Sequence, residues 1–210
     1  MYQTHPRTKG STGYPDQLFD TEHFQDPAYL GAGWKALPSD MSTPRLGERS
    51  LRLLDDLSVS GFRKKIFGEV DVFQFDDTHE LYAHMNINYV RLDELPPFER
   101  WGEALEPLVR GDFFTTTGEV LLPIVDFSSS TDERIHARVR VDWTLPLRFA
   151  EIVWGDGDTV DRHVIPLTAT RPFGSQTFDW TVDVQGWQWA RVAVWDVAAD
   201  GAFVNPVWRD

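Results

Sequence analysis

The 210-residue sequence contains no cysteine, which excludes a disulfide framework, a thiolate zinc site and a cysteine nucleophile. Lysine is scarce and unevenly placed: all four (Lys9, Lys35, Lys64 and Lys65) lie in the first third of the chain. Asp and Glu outnumber Lys and Arg by 33 to 20, for a net charge of −13. Non-specific nucleic-acid binding needs basic surface to neutralise phosphates, so nucleic acid is not an expected partner. No apolar run approaches the ~20 residues of a membrane-spanning helix, and no charged-then-apolar signal pattern opens the chain. The expectation is a soluble chain with no membrane partner, its compartment left open. A Gly-x-Ser-x-Gly nucleophile elbow and a Gly-rich phosphate loop are also missing.

What is present describes a globular protein. Hydrophobic residues make up 41% and charged residues 25%, and the length suits one large domain or two small ones. Seven of the nine tryptophans fall from Trp143 onward, opposite to the lysines. That shift predicts two regions meeting near Gly111. Residues 1–42 are rich in Gly, Pro, Asp, Ser and Thr, with Tyr14, Phe19, Phe24, Tyr29 and Trp34 scattered among them. This composition reads as a long loop packed by its aromatics.

Thr43-Pro44 carries the signature of a helix start, and Leu46, Leu53, Leu54 and Leu57 then share one helical face up to Gly61. Alternation predicts strands over Glu69–Phe75 and Met85–Leu92. Phe98, Trp101, Leu105 and Leu108 have helical spacing, which Pro107 should kink or end. Beyond Gly111 the period becomes two. Arg134–Trp143 sets Ile135, Ala137, Val139, Val141 and Trp143 against His136, Arg138, Arg140 and Asp142. Phe149–Trp154 and Thr159–Ile165 flank the turn Gly155-Asp156-Gly157-Asp158. Thr177–Val184, Ala190–Val197 and Ala202–Val207 complete a set that predicts an antiparallel sandwich.

The chemistry concentrates in two segments. Asp77-x-His79 places a carboxylate and an imidazole on the same side of an extended chain, with Asp76 and His84 close by. Mixed N and O donors suit zinc, manganese or iron, although a surface turn accounts for the same residues. Thr4-His5-Pro6-Arg7-Thr8-Lys9-Gly10 combines a metal-type ligand, His5, with an anion clamp, Arg7 and Lys9; an ordinary solvated terminus is the alternative. Asp156-Gly157-Asp158 with Asp161 lacks the closing glutamate of a calcium loop and reads as a hairpin turn. Trp180, Trp187, Trp189 and Trp195 form either a sugar-stacking platform or core.

The run from Thr4 to Gly10, the segment Gly68-Glu69-Val70-Asp71-Val72-Phe73 ahead of Asp77-Thr78-His79, and Gly111–Leu121 resemble the C-terminal part of CehA/McbA-type metallohydrolases. These belong to the PHP (polymerase and histidinol phosphatase) superfamily; Asn205-Pro206-Val207 resembles the closing strand of their sandwich tail. The resemblance implies an α+β, β-rich fold. A C-terminal fragment of a PHP-type α/β barrel over residues 1–110 is followed by an antiparallel, Ig-like β-sandwich over 111–210. It implies hydrolysis of a small phosphoester or other ester by metal-activated water, with metal ligands His5, Asp77 and His79. His84 and Asp76 are additional candidates, and Arg7 and Lys9 face the substrate's anionic group. The family's opening His-x-His pair and middle ligands have no counterpart. The chain is therefore expected to be the C-terminal piece of a longer enzyme, binding its divalent metal weakly and inactive alone. The rival reading is a carbohydrate- or partner-binding sandwich without catalysis, and an oligomer is compatible with either.

Overall fold

The computed structural model describes residues 2–3, 19–34, 43–69, 86–128 and 133–209. The chain builds a small parallel sheet and a larger β-sandwich that share a buried face. Strands β1 (Tyr2–Gln3), β2 (Gly31–Trp34) and β3 (Lys65–Gly68) lie side by side in that order, all parallel. A short helix α1 (Glu22–Gln25) precedes β2. Helix α2 (Glu48–Val59) connects β2 to β3, making a βαβ unit.

The reading of residues 1–42 as loop is corrected where it can be compared, since β1, α1 and β2 lie within it. Strand β2 is Gly-Ala-Gly-Trp, and the approach of β3 explains its glycines. A Cβ on Gly31 would sit 1.8 Å from the Lys65 carbonyl oxygen. The helix predicted from Thr43 begins five residues later, after Gly47 at φ 66°. Thr43 Oγ1 donates to the Arg45 carbonyl instead of capping, and Arg45 reaches into the sandwich. At the other end Gly61 (φ +83°) closes α2 as expected: its N–H meets the Ser58 carbonyl and that of Phe62 the Leu57 carbonyl. The strand expected over Glu69–Phe75 lies outside the described residues except for Glu69, which directly follows β3.

The antiparallel strands are β4 (Ile87–Val90), β5 (Phe113–Thr116), β6 (Val120–Ser128), β7 (Arg134–Trp143), β8 (Leu147–Gly155), β9 (Val160–Pro166), β10 (Gly174–Asp183), β11 (Trp189–Asp196), β12 (Gly201–Val204) and β13 (Val207–Trp208). One sheet is ordered β6-β7-β10 and the other β4-β5-β12-β11-β8-β9, with β13 continuing along β11 beyond β12. The alternation in β7 is realised as predicted. Ile135, Ala137, Val139 and Val141 are fully buried between the sheets, while Arg134, Arg138 and Arg140 face out. The Asp156 turn is a hairpin, its carboxylate accepting the amides of Asp158 (2.9 Å) and Thr159 (2.7 Å).

Strand β11 is buried on both faces. Ala190, Val192 and Val194 join the core between the sheets. Ala193 and Trp195 join a second core with Phe149 of β8, Phe203 of β12, Leu51, Leu54 and Leu57 of α2, and Ile66 of β3. Thus the outer face of the larger sheet is covered by the βαβ unit. Three tryptophans lie over their register-paired glycines: Trp143 over Gly174, Trp189 over Gly155 and Trp195 over Gly201. A Cβ at any of these glycines would fall within 2.1–2.5 Å of the indole ring, so each glycine makes the space its partner fills.

Two polar devices fasten the units together. The edge of β3 away from β2 pairs with side chains. Asn205 Oδ1 accepts the Ile66 N–H (2.8 Å) and its Nδ2 donates to the Ile66 carbonyl (3.5 Å). Asn88 does the same for Gly68, at 2.8 and 2.9 Å. The second device is a buried charge network. Arg191 of β11 donates Nε and Nη2 to the two oxygens of Asp55 on α2, at 2.6 and 2.7 Å. Beside it Glu151 of β8 takes Arg45 at 2.9 Å and Arg162 of β9 at 3.4 Å. Burial opposes the charge on Arg191, but attraction and hydrogen bonding from Asp55, with Glu151 behind it, hold its pKa above the ordinary guanidinium value.

Replacing Asn205 by Leu strands a buried amide and carbonyl of Ile66, and urea unfolding is expected to register a loss of about 1–3 kcal/mol. Arg191→Met leaves two buried carboxylates short of their partner, for an expected loss of about 3–5 kcal/mol in the same assay. A change below about 0.5 kcal/mol in either variant would contradict the fastening role assigned to these groups.

Candidate functional site

In parallel sheets ligands gather beyond the carboxyl ends of the strands. Here that edge is formed by the ends of β1, β2 and β3, at Gln3, Trp34 and Gly68. His5 follows the end of β1 by two residues in the sequence. The segment bearing Asp76, Asp77, His79 and His84 begins beyond the end of β3 and returns into β4 at Ile87. Because β1 and β3 run parallel on either side of β2, both segments leave from one edge. His5, Arg7, Lys9, Asp76, Asp77, His79 and His84 themselves lie outside the described residues.

The described part of this edge holds a carboxylate that the sequence reading did not single out as a site residue. Glu69, the first residue after β3, is buried and folds against Gly33 of β2. A Cβ on Gly33 would lie 2.3 Å from the carboxylate, so the absence of a side chain there makes its room. Asn86 donates Nδ2 to the Glu69 carbonyl (3.0 Å), and Asn88 holds Gly68 beside it. Thr115 Oγ1 donates to Asn88 Oδ1 at 2.9 Å, which fixes the orientation of the amide. The local sequence signal was the alternation of Asn86 and Asn88 against Ile87 and Tyr89. The polar side turns inward, the reverse of an ordinary strand.

At the opposite edge of the sheet, Lys64 is a structural cation. Its Nζ donates to the carbonyls of Phe24 (2.9 Å) and Tyr29 (2.8 Å) and lies over both rings. Burial, partly countered by Asp26, lowers its pKa.

Other chemistry-bearing groups do not make a site. Among the described residues no three His, Cys, Asp or Glu side chains are grouped to hold a metal ion. Ser128 Oγ lies 3.1 Å from His136 Nδ1, but His136 Nε2 is 3.9 Å from Asp179, beyond hydrogen-bond reach and on an open sheet face. Burial counts against the stacking platform at three of its four tryptophans, while Trp180 is partly buried and stacks on Phe178. Trp187 and Trp189 are core residues, 7% and 0% exposed, and Trp195 is fully covered.

Asp196 at the β11–β12 turn carries a perturbed carboxyl. Its Oδ1 accepts the amides of Ala198 (2.8 Å) and Asp200 (3.1 Å), while Oδ2 is buried without a hydrogen bond. Burial, reinforced by Asp200 and Glu119 against the two amide bonds, raises its pKa to about 6. A raised carboxyl pKa means that the folded state holds the proton more tightly than the unfolded chain. Stability is thus greatest below the unfolded pKa near 4 and declines as pH rises through about 6. Asp196→Asn retains an acceptor for the two amides and supplies a donor on the other side. It is expected to raise stability at pH 7 by about 1–3 kcal/mol and to flatten the unfolding profile between about pH 4 and 6, measured by urea unfolding across pH.

No family model, curated protein or solved structure matches this chain, so the candidate edge is identified by its own geometry and chemistry.

Proposed function

We propose that the chain contributes part of the site of a metal-dependent hydrolase acting on a phosphoester or other ester. The site is placed at the carboxyl edge of β1, β2 and β3, with His5, Asp77 and His79 as ligands. Asp76 and His84 are supplementary donors, and Arg7 and Lys9 grip the substrate's anionic group. The observation that carries this reading is the shared departure edge of the two ligand-bearing segments, with Glu69 buried there.

The donor set of imidazole nitrogen and carboxylate oxygen fits zinc, manganese or iron. A divalent metal, when bound, supplies an activated water and stabilises the charge that develops on the ester. Glu69, buried at the same edge, is taken as a supporting carboxylate of this site. Arg7 and Lys9 bring the anionic group of the substrate to the edge by charge-assisted hydrogen bonds. The parallel βαβ unit is read as the closing portion of a PHP-type barrel, and the sandwich as its Ig-like tail. The strand order supports the second point, with strands one, two and five of β6–β12 in one sheet and the others in its partner.

Calorimetric titration of the purified chain with Mn²⁺ and Zn²⁺ tests the proposal against a His5→Ala/His79→Ala variant and a Glu69→Gln variant. Saturable binding to the wild type, lost in the double variant and weakened in Glu69→Gln, is the expected result. Heats indistinguishable between wild type and the double variant would remove the metal-site reading.

A further inference from the structure

The connection between β4 and β5 carries an apolar face that packs on no core among the described residues. Leu95 and Phe98 are each 86% exposed and Trp101 is 57% exposed, with Leu105 and Val109 also open to solvent. A 3-10 helix over Phe98–Leu105 buries none of its residues, and helix α3 (Glu106–Arg110) buries only Pro107. Phe98 and Trp101 follow the three-residue period of the first helix, and Leu105 and Val109 the four-residue step into the second. The sequence spacing thus marks a real amphipathic stripe, but its apolar side faces water instead of the core. The 3-10 helix ends at Leu105, just ahead of Pro107 as expected, and Pro107 sits in the first turn of a second helix, α3, where its missing N–H is harmless. Scattered exposed hydrophobics are ordinary; two aromatics and three aliphatics on so short a segment form a patch.

Charge indicates what covers it. Beside the stripe lies a groove of about 460 Å³ into which Asp93, Glu94, Glu103, Glu106 and Asp112 converge. Two arginines, Arg91 and Arg110, line it as well, and Arg100 pairs with Glu103 from outside at 3.0 Å, so five carboxylates against three cations leave a charge of −2. Arg110 is already engaged by Asp112 (2.8 Å) and Glu106 (3.4 Å).

We propose that this stripe and groove dock a basic amphipathic segment of another protein. Its apolar side chains cover Phe98, Trp101 and Leu105, and a Lys or Arg enters the acidic groove. Exposed aromatic anchors beside a charged rim are the composition of an interface that gains affinity from burial and selectivity from charge. An anionic membrane would meet like charge at the groove. A second copy of this chain, itself at −13, would set acid against acid.

The test is fluorescence anisotropy with a labelled, synthetic Leu/Lys amphipathic helix as probe, beside a Leu/Glu version of the same pattern. Two surface variants disable the stripe (Phe98→Ser/Trp101→Ser) or the groove rim (Asp93→Lys/Glu94→Lys). A third, Asp158→Lys/Asp161→Lys, makes the same charge change at the distant β8–β9 turn. Circular dichroism confirms that all three remain folded. The Leu/Lys probe is expected to bind wild type and the distant variant alike, and the stripe and rim variants at least about tenfold more weakly. An equal loss in the distant variant, equal binding of the Leu/Glu probe, or no binding of the Leu/Lys probe would overturn the proposal. So would preferential uptake by phosphatidylserine vesicles, or a dimer in analytical ultracentrifugation that Phe98→Ser/Trp101→Ser dissolves.

Discussion

Strand β3 ends its sheet with a backbone edge that no strand among the described residues pairs, and two asparagine side chains take the place of a neighbour. Asn205 and Asn88 meet Ile66 and Gly68, residues two apart that turn their amides and carbonyls to the same side. Each primary amide offers one acceptor and a donor, the same complement as a peptide group, so the edge is satisfied without another strand. The geometry also brings the sandwich very near. A Cβ on Gly68 would stand 2.7 Å from Thr115, and only glycine lets β3 lie that close. The edge carrying Glu69 depends on this fit, because Glu69 follows directly from the strand so held.

The charge network acts on the same interface from the helix side. Buried arginines and carboxylates are weak sources of stability, since desolvation offsets most of the attraction. Their effect is positional: the two-pronged contact between Arg191 and Asp55 accepts one orientation of α2 against β11. Arg45 and Arg162 then meet around Glu151, and Arg45 also lies 4.8 Å above the Phe149 ring. Together with Trp195 and Phe203, these residues turn the outer face of the larger sheet into an interior. The boundary in composition at Gly111 therefore falls inside a continuous structure. Strand β4, before it, pairs with β5, after it.

Legibility in the sequence followed the range of the forces. Period-two burial made β7 visible, the Asp156 turn announced β8 and β9 on either side of it, and regular spacing marked β11 and β12, which are buried on both faces. Glycine at Gly61 marked the end of α2 because its conformation is a local property. The start of α2 was not legible, since Arg45 is drawn out of a helical path by Glu151, more than a hundred residues away. Strand β2 was hidden by its glycines, which signal a turn unless a neighbour is known to press on them. Trp189 and Trp195 were ambiguous for the same reason: only their register with Gly155 and Gly201 shows the room that makes them core.

By itself the sequence determined a cysteine-free, acidic chain with an antiparallel, sandwich-like second half. These properties follow from composition and from the two-residue period that one-sided burial imposes. Only the tertiary structure decided that Asn205 and Ile66, 139 residues apart, are partners. It alone set the ends of β1 and β3 at one edge, Glu69 among the buried groups and Phe98 and Trp101 in water. Periodicity states that a residue has a face; which faces meet is settled by pairing between distant strands, and no local pattern encodes that choice.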